Sequence, residues 1–149
     1  MKLVIIFVCL MILFCSVKLN KIMNTQIALV DLHVEHKEWL NKLLFYKDDL
    51  KIMQSRLDEI ASKNNSKEVL VFVERFENQF KIQKEQIDVL NHDIKQHVNK
   101  IEESIINNPI ASNHRKMDDH AEEREKMIRF EELFAELRKD LLSFLSKWL

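Results

Sequence analysis

Glycine is absent from the 149 residues, and proline occurs once, at Pro109. Those two residues supply most tight turns and positive φ angles, so a hairpin-rich β architecture is not expected. Without glycine there is no phosphate-cradling loop and no dinucleotide-binding turn, because both need a backbone that approaches phosphate without a side chain in the way. Cysteine is nearly as scarce. Cys9 and Cys15 both fall in the apolar N-terminal stretch, which leaves the rest of the chain without a thiol for a disulfide, a thiolate metal site or nucleophilic catalysis. The net charge is −1, and the 23 Lys and Arg residues alternate with 24 acids rather than forming a stripe. No nucleic-acid partner is expected from that pattern.

What is present is enough to fold: 46% of the residues are hydrophobic and 32% charged in a chain of one-domain length. After Met1 and Lys2, residues 3–15 form an unbroken apolar run, followed by Ser16, Val17 and Lys18. Three readings of this segment stand side by side. A charged start and an apolar stretch have the layout of a secretory signal peptide, but no small-x-small cleavage site follows, and Phe14 before Cys15 does not suit lipoprotein-type processing. As a membrane anchor, residues 3–17 would span about 22 Å against a hydrocarbon core of roughly 30 Å, with Lys2 and Lys18 snorkelling. Alternatively, translation starts at Met23, where the regular pattern begins. The segment 1–22 is thus set apart from a helical body, 23–149. The expected location is membrane-anchored or exported, or cytoplasmic if Met23 is the start.

In the body, apolar residues recur alternately four and three apart. One seam runs Leu32, His36, Trp39, Leu43, Tyr46, Leu50, Met53, Leu57 and Ile60. A second runs Val69, Val73, Phe76, Phe80, Gln83, Ile87, Leu90, Ile94, His97 and Ile101. A third runs His120, Glu123, Met127, Phe130, Phe134, Leu137, Leu141, Phe144 and Trp148. Each seam is the dry stripe of an amphipathic helix. Asn64, Asn65 and Ser66 break the first from the second, with Asn65 and Glu68 spaced as a capping pair. Asn107, Asn108 and Pro109 break the second from the third, which is expected to start between Ser112 and Asp119. The spacing therefore predicts an all-α fold with helices over about 26–62, 67–106 and 116–148. They form an antiparallel three-helix bundle, or a long hairpin carrying a third packed helix. Heptad-type seams also favour self-association or a protein partner. The apolar end, 141–149, is expected to pack over the turn end of the hairpin.

The polar members of the seams are His36, Gln83, His97, His120 and Glu123, and polar groups in a core need partners. Reflecting the first helix onto the second about residue 64.5 sets Gln83 level with Tyr46, which predicts a hydrogen bond between them. The same reflection sets His36 level with Asp93 and His33 level with Gln96 and His97. A second reflection, about residue 111, sets His97 level with Glu125, so that Glu123 is nearer to it than His120. Pairs three or four apart share a helix face, which makes His33 with His36, Asp93 with His97, and His120 with Glu123 candidate ligand pairs. Imidazole and carboxylate donors converging inside a bundle suit zinc, manganese or non-haem iron. His92 points elsewhere around its helix, and His114 lies in the second connection. The competing readings are a frayed, wet bundle end and a pH-responsive polar layer.

No Glu-x-x-His or His-Glu-x-x-His pattern occurs, and no serine, histidine and acid arrangement marks a nucleophile. No catalytic motif is found, and enzyme status is left open. The first expectation for function is a non-enzymatic helical-bundle scaffold or protein-interaction module, possible as a membrane-tethered form. The alternative is a metal-binding bundle using His33, His36, Asp93, His97, His120 and Glu123.

Overall fold

The computed structural model describes the backbone over residues 2–107 and 113–148 and the side chains over 31–103 and 120–148. Three helices follow one another: α1, Lys2–Lys63; α2, Lys67–Asn107; and α3, Asn113–Trp148. The all-α three-helix bundle is what the seams predict. Helix α1 starts at Lys2 rather than near residue 26; no proline or glycine interrupts the apolar segment to stop it. The chain divides into two compact units, Met1–Lys37 and Glu38–Leu149. The first consists of the N-terminal part of α1, where Leu32 and His36 are buried. The second carries the main core.

That core is built from the seams almost residue for residue. Trp39, Leu43, Leu50, Met53, Leu57 and Ile60 of α1 meet Val69, Val73, Phe76, Phe80, Ile87, Leu90 and Ile94 of α2, and Met127, Phe130, Phe134, Leu137, Leu141 and Phe144 of α3. Helices α2 and α3 run antiparallel: His97 meets His120 at one end, and Phe72 and Phe76 meet Phe144 at the other. Lys47 of α1 pairs with Asp88 of α2 at 3.0 Å. The C-terminal stretch packs as expected, with Leu141, Phe144 and Leu145 buried and Trp148 against the core.

The first connection is Asn64, Asn65 and Ser66, as the sequence suggests, and it turns the chain without any positive φ among the described residues. The cap lies one residue later than the pattern implies. Ser66, directly before α2, accepts the first helical bond from Leu70 N–H at 3.1 Å, so it is Ser66 and not Asn65 that occupies the capping position. Asn64 closes α1 by donating both its backbone and side-chain N–H groups to the Ile60 carbonyl, each at 3.0 Å. Asn107 ends α2, whereas Asn108 and Pro109 lie outside the described residues. The start of α3 at Asn113 falls in the expected window.

A polar strip joins α1 to α3. Lys42 Nζ lies 2.9 Å from Glu131, and Arg138 Nε lies 3.6 Å from Asp49, a buried carboxylate that the seam pattern does not single out. Burial first, and then the Glu131 charge, pushes the Tyr46 phenol pKa up. The hydrogen bond to Glu131 likewise raises that of Lys42. The expected Tyr46–Gln83 bond is not formed. Tyr46 instead packs on Phe130 and Phe134, with ring centroids 5.3 and 4.6 Å away. Gln83 lines a groove with Phe76, Leu133 and Leu137, and its Oε1 is buried without a hydrogen-bond partner. The two side chains thus face different neighbours.

Candidate metal centre

The end of the bundle marked by the second connection carries His97 and His120. On α2, His97 follows Ile94 and precedes Ile101 in the same seam, both buried, so its imidazole is held on the dry face by apolar neighbours one turn either side. On α3, His120 opens the seam that continues through Met127 and Phe130. The two rings stack with centroids 5.8 Å apart and planes 23° from parallel. On its other side His120 stacks on the Trp39 indole, centroids 5.0 Å apart and planes at 19°. Trp39 reads from the sequence simply as packing. It is both core and a wall of the site, fixing the plane of the His120 ring.

His36 precedes Trp39 by three residues on the unbroken helix α1, so the two share a face. His36, His97 and His120 are 3%, 7% and 3% exposed. One ring nitrogen from each lies within 4.8 Å of the others. Around a tetrahedral ion with bonds of about 2.0–2.1 Å, ligand nitrogens stand roughly 3.4 Å apart. Three buried histidines that could hold a metal ion are the chemical feature of this end of the protein.

The remaining sequence candidates fall outside that group. His33 is exposed, contrary to the expected pairing with His36: the buried stripe of α1 passes through Leu32, four residues before His36, and leaves His33 on its outer flank. Asp93 is half-buried, one turn before His97. Glu123 is half-buried, one turn after His120; its Oε1 accepts a hydrogen bond from Lys126 Nζ at 2.9 Å, and its Oε2 is buried without a hydrogen-bond partner. His92 is exposed and paired with Gln96 at 2.9 Å. The side chain of His114 lies outside the described residues.

The register also differs from simple reflection. His97 meets His120, not the level of Glu125, a slide of about 7.5 Å. The helix ends, Asn107 and Asn113, are centred one residue before the assumed turn, which moves the level facing His97 by about 3 Å of that distance, toward His120. The slide brings the two imidazoles together and sets Glu123 one turn further along.

Among the described residues no helix is long and apolar enough to cross a membrane; the apolar run 3–17 and the readings that rest on it lie outside the described side chains. No family model matches the chain, and comparison with curated proteins and with solved structures likewise gives no match.

Proposed function

We propose that this chain is a non-enzymatic helical-bundle protein fastened at one end by a transition-metal ion bound to His36, His97 and His120. The observation that carries the reading is the grouping of three buried imidazoles drawn from three different helices. A ligand set spread in this way couples metal affinity to folding, because it does not exist in the unfolded chain. Donor chemistry selects among the ions. Three neutral nitrogens suit zinc better than manganese, which prefers oxygen, and zinc exceeds iron in the usual affinity order. Burial of all three rings favours a structural role over an open catalytic one.

Protein purified without chelator and desalted is expected to retain about one zinc per chain by elemental analysis, as one mononuclear site requires. A double substitution, His97→Gln with His120→Gln, is expected to retain none. Zinc at equal stoichiometry in both proteins would exclude the site.

Association with a protein partner, or with a second copy, is a second reading. It is favoured by Leu44, Phe45 and Ile52 of α1 and Leu142 of α3, which are each more than half exposed. Sedimentation across a concentration series tests self-association. A tether through residues 3–17 is a separate proposal, tested by mass spectrometry of the mature N-terminus.

A further inference from the structure

Three imidazoles leave the charge of a bound dication unbalanced. They are neutral ligands, and a +2 charge surrounded by buried rings is strongly disfavoured unless an anion lies close to it. Glu123, which lies outside the 4.8 Å group, is the half-buried acid of α3 one turn from it. It stands one turn from His120 on the same helix face, where side chains three apart have Cβ atoms about 5–6 Å from one another. Its side chain is only 12% exposed. Its two oxygens are differentiated: Oε1 is taken by Lys126 at 2.9 Å, whereas Oε2 is buried with no hydrogen-bond partner among the described residues. A buried carboxylate oxygen without a donor is costly unless something positive meets it. The neighbouring Glu122 also contacts Lys126, at 3.2 Å, but is 69% exposed and keeps its solvent.

We propose that Glu123 is the fourth ligand, binding the ion through Oε2 while Lys126 holds Oε1, so that the centre is a closed set of three histidines and one carboxylate. The inference rests on His36, His97 and His120 binding the ion. Lys126 is a positioning residue: its ammonium fixes the carboxylate so that the buried oxygen, and not the outer one, is offered to the metal. Partners of this kind orient metal-bound carboxylates and typically alter affinity roughly 10–100-fold when removed. The site then takes a dication of tetrahedral preference and leaves no coordination position for a substrate.

The test compares zinc affinity, by competition with a chelating dye, and the visible spectrum of the cobalt(II)-substituted protein across four chains. These are wild type, Glu123→Gln, Lys126→Met and Glu122→Gln, each checked for helix content by circular dichroism. Glu123→Gln nearly preserves shape while removing the charge, and is expected to weaken zinc binding at least roughly tenfold and to change the cobalt bands. Lys126→Met is expected to weaken binding less and to shift the same bands, since the carboxylate is kept but loses its orientation. Glu122→Gln is expected to match wild type. Wild-type affinity and an unchanged cobalt spectrum in Glu123→Gln would overturn the inference while leaving the histidine centre standing. Failure of the wild type to take up zinc or cobalt would remove the histidine centre itself, and the fourth ligand with it. Should Glu123→Gln lose helix content, the cobalt spectrum of Lys126→Met decides, and identity with wild type counts against the proposal.

Discussion

Zinc added to chelator-treated protein is expected to raise its melting temperature by roughly 10 °C when free zinc exceeds the dissociation constant about 100-fold. Binding to the folded state alone contributes about 2.7 kcal/mol at that ratio, and in a chain of this size each kcal/mol moves the midpoint by a few degrees. His97→Gln and His120→Gln are expected to abolish the shift while keeping helix content. Either change removes a ligand without adding volume to a stack already bounded by Trp39. Differential scanning calorimetry with zinc, with chelator and with both variants measures both effects. An equal shift in wild type and variants would place the zinc elsewhere.

The second large effect concerns the core that holds the site in place. Phe134 is 1% exposed and packs against Tyr46 of α1 and Phe130 of its own helix, with centroids 4.6 and 5.7 Å away. Phe134→Ala removes a ring from a position where two helices are joined and is expected to destabilise the protein by about 3–5 kcal/mol in urea denaturation. Domains of this kind have about 5–15 kcal/mol in total, so the change is a large share of the whole. Phe45→Ala is the matched control. Its ring is 58% exposed, and its loss is expected to change stability by no more than about 0.5 kcal/mol. A Phe134→Ala effect as small as that of the control would contradict the packing described for α1 and α3.

The fold was legible because periodicity reports burial directly. In the second seam every position from Val69 to Ile101 is buried, including Gln83 and His97, and the break at Asn64, Asn65 and Ser66 is the connection itself. Periodicity does not report how far one helix slides along another. That slide depends on the geometry of the connections, and it moved the partner of His97 from the level of Glu125 to His120. Nor does the level along an axis specify the direction around it, which is why Tyr46 turns to Phe134 and Glu131 while Gln83 faces the groove beside Leu137.

The same distinction separates the site residues. His36, His97 and His120 lie on seams, and the structure groups them. His33 is off its seam and exposed, and Asp93 is off its seam and half-buried. Asp49 is polar and beside Leu50, so the apolar seam does not single it out, yet it lies three residues after Tyr46 and four before Met53. That spacing marks the buried flank of the helix, where Arg138 reaches it. Trp39 carried a signal too, three residues from His36, but an aromatic at helical spacing reads first as packing.

Nitrogen-15 correlation spectra of the six imidazoles during a zinc titration test the central claim most directly. Signals of His36, His97 and His120 are expected to move together and saturate at one equivalent, each fixed in a single tautomer, while His33 and His92 stay in place. Saturation involving His33 or His92, or six signals unchanged by zinc, would contradict it.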